Sequence, residues 1–175
     1  MLLAQLTEAC GAPGQEGEVR DLIRTEIAPY VDEIKTDALG NLIAVKNPNG
    51  KGPKVMLAAH MDEVALMITS IEKNGYLRFK PIGGIDPRVL VAKTVVVGAK
   101  KIPGVIGSKP IHLQRPEERQ RALSIQELQI DIGVKSKEEA EKLVSLGECA
   151  YFTTKYEEFG SGKVKAKALD DRVGC

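Results

Sequence analysis

The sequence predicts an α/β layer that gives way to a β-rich, barrel- or sandwich-like segment, and three observations carry that expectation. Val19, Leu22, Ile23 and Ile27 recur at i, i+3, i+4 and i+8, the period of one helical face, and Pro29 marks its end. Strand-like runs follow at 31–37, 41–46 and 55–59, the last of them wholly apolar, as a covered strand would be. From about residue 64 the texture changes to short alternating strands with frequent glycine, the pattern of a small barrel or sandwich.

In chain order, residues 1–9 read as a first helix and CGAPGQEG as a turn-rich break before the second. The segment DALGN separates the first two strand-like runs, and NPNGKGP separates the second from the third. The β-rich part reads as strands in VALMITSI, YLRFKPI, KTVVVGA, GVIGS and LQIDIGV, where Leu128, Ile130, Ile132 and Val134 share one face. Ser136 and Glu139 fit a capping box opening a helix over KEEAEKLVSL, which Gly147 ends. After AYFTT, GSG at 160–162 reads as a linker turn, and the strand-like KVKAKAL leads directly into Asp170. QRPEERQR is the most polar run; Glu117 and Glu118 neutralise most of Arg115, Arg119 and Arg121, so a solvated loop is expected.

A length of 175 residues allows one or two domains. Lys plus Arg number 25 against 24 Asp plus Glu, so no long-range field favours nucleic acid or an anionic membrane. With 4 Tyr, 3 Phe and no Trp, few flat faces exist for stacking bases or sugars. Cys10, Cys149 and Cys175 form no close pair, which argues against a disulfide framework or a zinc knuckle. The N-terminus lacks a basic n-region, and no stretch approaches the roughly 20 apolar residues of a membrane span. A soluble, cytoplasmic protein is expected.

Chemistry concentrates in two places. VMLAAHMDE delivers an imidazole, His60, and then Asp62 and Glu63 at the carboxyl end of an apolar strand, where α/β sheets bind ligands. A neutral imidazole can bind a divalent metal if an acceptor fixes its second nitrogen, and Asp62 is placed to be that acceptor. A satisfied structural histidine is the competing reading. In ALDDR, Asp170 and Asp171 repel one another unless a cation compensates, and Arg172 neutralises only part of that charge. A carboxylate shared by two cations would explain the pair, and so would a surface turn.

Taken with GGIDPRVL and GVIGSKPIHLQ, the blocks AAHMDEVALMI and ALDDRVGC resemble the M42 family of metallo-aminopeptidases, the glutamyl or tetrahedral aminopeptidase group, over nearly the whole chain. The resemblance implies a metallopeptidase α/β sheet domain, residues 1–63 and 164–175, interrupted by a β-rich dimerisation domain at 64–163. It implies that His60 is a terminal metal ligand, Asp62 the carboxylate that orients it and Asp170 a bridging ligand, with no direct metal role for Glu63, Asp171 or Arg172. His112 reads as structural or interfacial. It further implies two divalent ions, zinc or cobalt, peptide substrates with a free N-terminus, and a homo-oligomer built through the inserted domain.

The family's general-base glutamate pair, a further acidic ligand and a second histidine follow the DDR block. The pairs Glu117–Glu118, Glu138–Glu139 and Glu157–Glu158 all precede Asp170 and match none of these. Little peptidase activity is therefore expected of this chain alone. The alternatives are a non-catalytic assembly piece or half of a split enzyme, and, less favoured, a glucanase using Asp62 and Asp170 as acid and base. No G-x-S-x-G elbow, Walker A pattern or dinucleotide fingerprint is present.

Overall fold

The structure, a computed structural model, describes residues 1–117 and 120–175. These divide into two compact units, one made of Met1–Glu63 with Lys155–Cys175 and one of Val64–Thr154. The sequence-based boundary at residue 163 falls inside a hairpin of the first unit. Glu118 and Arg119, part of the polar loop expected at 114–121, lie outside the described residues.

In the first unit α1 spans Leu2–Glu8 and α2 spans Gly17–Ile27. Val19 is fully buried on α2, and Leu22, Ile23 and Ile27 are half-buried, so the helical period is realised. β1 (Glu33–Thr36) and β2 (Leu42–Val45) pair antiparallel with Glu33 opposite Val45. Their turn is built by Asp37, whose carboxylate accepts from the backbone of Leu39 and Asn41, while Gly40 takes a left-handed φ of 91°. Arg20 and Arg24 reach from α2 to Gly40 O and Thr36 Oγ1 and tie helix to hairpin.

The third expected strand, 55–59, does not form. Val55, Met56 and Leu57 are 80%, 87% and 93% exposed, and no described segment pairs with them. Strand propensity is a property of a pair of backbones, and an apolar run without a neighbour has no ladder to join. The described strands of the first unit form two separate two-stranded sheets, which with α1 and α2 make it a mixed α/β unit as expected, though without a continuous sheet among the described residues.

The second unit is built from β3 (Ala65–Ile71), β4 (Leu77–Ile82), β5 (Thr94–Val97), β6 (Ile102–Gly107), β7 (Gln129–Asp131) and β8 (Cys149–Phe152). They close a barrel in the order β3-β4-β7-β6-β5-β8, antiparallel throughout. Closure removes sheet edges that would otherwise recruit other chains. Leu66, Ile68, Leu77, Val95, Val97, Ile106, Leu128 and Ile130 fill its core. On β6, Gly104 lets Ile130 pack close, for a Cβ there would lie 2.8 Å from Ile130 Cγ2.

The helix read over KEEAEKLVSL is shorter than expected: α3 spans Lys137–Glu141, and Gly147 turns the chain at φ 85°. Ser136 does cap it, accepting from Glu139 N at 3.3 Å, but the Glu139 carboxylate reaches back to Lys135 N and not to the cap residue. The reciprocal capping box forms instead at Ser124 and Glu127, ahead of a short 3₁₀ turn, Ile125–Glu127. Arg121 of the polar loop closes on that same Glu127 with two hydrogen bonds.

Glu157 and Glu158 belong to β9 (Glu157–Phe159), which pairs with β10 (Lys163–Lys165) across the GSG turn. β10 ends before Asp170. Ala168 adopts a left-handed φ of 53°, and the short turn α4 (Leu169–Arg172) that follows is kinked, with Asp170 and Asp171 at non-helical backbone angles, so Asp170 lies outside any strand.

Candidate metal centre

His60 lies on an irregular segment and Asp170 on α4, 110 residues away, yet the two touch. His60 Nε2 is 3.0 Å from Asp170 Oδ1, and His60 Nδ1 is 3.0 Å from Asp62 Oδ1. The three residues named from sequence are thus gathered about one imidazole. The Asp170 carboxylate raises the His60 pKa above its ordinary value, with Asp62 acting in the same sense against partial burial.

The arrangement fits a metal in its chemistry. An imidazole and a carboxylate form a mixed nitrogen and oxygen donor set of the kind that holds zinc. In the neutral tautomer that keeps its proton on Nδ1 toward Asp62, Nε2 would present a lone pair on the side of Asp170. Among the described residues no group of three or more His, Cys, Asp or Glu side chains forms a complete ligand set.

The contacts at His60 are open to water, with side-chain exposures of 53% for His60 and 96% for Asp170. Exposed ion pairs of this type contribute about 0–1 kcal/mol, too little to hold distant segments together. The anchoring lies deeper. Glu63 N donates to Gly11 O at 2.8 Å, and Glu63 Oε1 accepts from Lys167 Nζ at 2.6 Å and Gly11 N at 3.3 Å. Arg172 Nη2 stands 3.6 Å from the same oxygen, and the three side chains are 3%, 7% and 0% exposed for Glu63, Lys167 and Arg172. Removing one member of a buried ion cluster typically costs about 3–5 kcal/mol.

Arg172 was read as a partial neutraliser of Asp170 and Asp171; it turns inward instead. Its Nε donates to Met61 O at 2.6 Å, and its Nη1 donates to Leu6 O and Ala9 O. Lys167 Nζ also donates to Ala9 O, at 2.9 Å. Helix α1 has no basic residue in its last turn, so these two cations from far along the chain satisfy its terminal carbonyls and oppose its dipole. Burial pushes the Glu63 carboxyl up, against the pull of Lys167 and Arg172, and lowers the Arg172 pKa. Sequence reasoning gave Glu63 and Arg172 no direct metal role and passed over Lys167. The only hint was a cation in the otherwise small and apolar AKAL.

Comparison with known proteins places the chain in a class. Residues 40–175 match the M42 glutamyl aminopeptidase family, and the chain belongs to it. FrvX of Escherichia coli (strain K12), which carries a provisional aminopeptidase name, is 43% identical over 178 residues, covering 99% of this chain and 49% of that protein. The crystal structure of a TET aminopeptidase from the marine sediment archaeon Thaumarchaeota archaeon SCGC AB-539-E09 superposes with a TM-score of 0.92 at 37% identity, over 99% of this chain and 49% of that one. The Pyrococcus horikoshii TET1 peptidase, described as assembling into a tetrahedron or a large octahedral shell, superposes at 0.86 with 40% identity, over 99% of this chain and 52% of that one. The chain therefore spans about half the length of the relatives it matches.

Proposed function

We propose that this chain carries part of the metal centre of an aminopeptidase that releases N-terminal residues from peptides. The observation that supports this most is the His60 ring held between Asp62 and Asp170 at 3.0 Å on each side, in a member of the M42 family. In this reading His60 Nε2 and Asp170 are donors to divalent metal, zinc or cobalt, and Asp170 serves both ions of a pair. Asp62 accepts the Nδ1 proton and so sets the tautomer that leaves Nε2 basic. When bound, the ions supply Lewis acidity toward the scissile carbonyl and the attacking water. The chain's own work is to orient the imidazole and hold the shared carboxylate against it.

With no set of three or more ligating side chains among the described residues, the polypeptide alone binds metal weakly and has little peptidase activity. Homo-oligomerisation through the barrel unit and a cytoplasmic location complete the reading. Cys10, Cys149 and Cys175 form no disulfide among the described residues, which suits a reducing compartment. No helix among the described residues is long and apolar enough to cross a membrane. Titration of the chain with Co(II), followed by absorbance, tests the site. Weak binding by the parent that His60→Ala or Asp170→Ala abolishes is expected. Equal affinity in parent and both variants would remove the metal assignment.

A further inference from the structure

The segment bearing His60 and Asp62 and the turn bearing Asp170 share no strand or helix, and their direct contact is solvent-exposed. What joins them is buried. Glu63 follows His60 by three residues, Lys167 precedes Asp170 by three, and Arg172 follows it by two, so each metal-site residue lies within three residues of a buried ion. The two cations converge on one oxygen of the third ion, Glu63 Oε1. Arg172 adds a bond to Met61 O, the residue between His60 and Asp62, and both cations are held in turn by the last carbonyls of α1. Arg172 Nη2 is the buried nitrogen left without a hydrogen bond among the described residues, which makes its placement depend on the charge of Glu63 opposite.

We propose that Glu63, Lys167 and Arg172 are positioning residues. Through a buried ion cluster docked on the C-terminus of α1, they hold the 60–63 segment and the 167–172 segment in the one register that sets His60 Nε2 against Asp170. The metal consequence rests on the function proposed above, whereas the juxtaposition itself does not. A carboxylate elsewhere in the core would stabilise the fold without this effect. Here the cluster sets a distance between two side chains that it does not touch.

The test separates positioning from mere stability. The ¹⁵N shifts of the His60 ring are recorded on the full chain at one fixed pH without metal, with His112→Gln to assign the other histidine and Asp170→Asn to define the signal of a lost contact. Folding is checked by the amide spectrum of α2 and the β1–β2 hairpin. Folded Glu63→Gln and Arg172→Lys chains are expected to move the Nε2 signal toward the Asp170→Asn value while the Nδ1 signal, set by Asp62 on the same segment, stays in place. Co(II) affinity should fall about tenfold or more in both. Folded variants that keep the parent Nε2 signal overturn the proposal. Where a charge variant does not fold, Gly11→Ala takes its place, since its methyl presses on Arg172 Nη2 from 3.0 Å and deletes no charge; an unmoved Nε2 signal there counts equally against it. A parent chain that binds no Co(II), with Nε2 shifts behaving as stated, overturns the metal reading and leaves the positioning role intact.

Discussion

Gly11→Ala and Gly17→Ala are the same chemical change six residues apart, and the structure gives them opposite signs. Neither glycine has a left-handed backbone, so no φ penalty applies to either. At Gly17, the first residue of α2, a Cβ meets nothing nearer than Arg20 Nη2 at 3.9 Å, and the loss of unfolded-state freedom stabilises by about 0.4–1 kcal/mol. At Gly11 the same Cβ lies 2.8 Å from Val19 Cγ2 and 3.0 Å from Arg172 Nη2, both on fully buried side chains. Carbon atoms in contact prefer about 3.5–4.0 Å, so an overlap of about 0.7 Å or more must be relieved by moving Val19 or the guanidinium. Overpacking of this kind costs about 1–3 kcal/mol, and the entropic gain offsets part of it, leaving a net loss of about 1–2 kcal/mol. The assay is native-state hydrogen exchange at the Glu63 amide, which donates to Gly11 O. Exchange should quicken about 5–30-fold in Gly11→Ala and slow in Gly17→Ala. Equal protection in the two variants, or slowed exchange in Gly11→Ala, would refute the reasoning that the Arg172 pocket is closely packed.

Further outcomes concern the barrel unit. Ile130 is fully buried opposite both Leu77 and Ile106, so Ile130→Ala should destabilise the barrel by about 2–5 kcal/mol, read from urea unfolding of the Val64–Thr154 amides. Glu127 is held at about 2 by Arg121 and by the Ser124 backbone and hydroxyl. Its folded value lies below the ordinary 4.5, so its stabilising contribution is complete above about pH 4.5 and disappears as pH falls through about 2. Carboxyl ¹³C titration checks this, and Arg121→Ala should return Glu127 toward the ordinary value.

Much of the architecture could be read before the coordinates. The helical period from Val19 to Ile27 and the alternation of Leu128, Ile130 and Ile132 report local geometry and one buried face, and both survive in the structure. The run 55–59 misled because its composition describes a covered strand while covering depends on segments elsewhere. The approach of His60 to Asp170 spans 110 residues, and no periodicity encodes such a contact; only the family resemblance pointed to it. Glu63, Lys167 and Arg172 were illegible for a different reason. Charged residues are ordinarily solvated, and an arginine beside two aspartates reads as their counter-ion, so the burial of all three appears only when α1, the 60–63 segment and α4 are assembled.

The exposed run Val55, Met56 and Leu57 ends three residues before His60. Three consecutive aliphatic side chains there stand open to water. Each aliphatic side chain taken out of water is worth about 1.5–3 kcal/mol, a larger sum than the exposed contacts around the imidazole contribute. Any surface that covers the run therefore gains its adhesion immediately upstream of the imidazole, while the buried ions secure the residues after it.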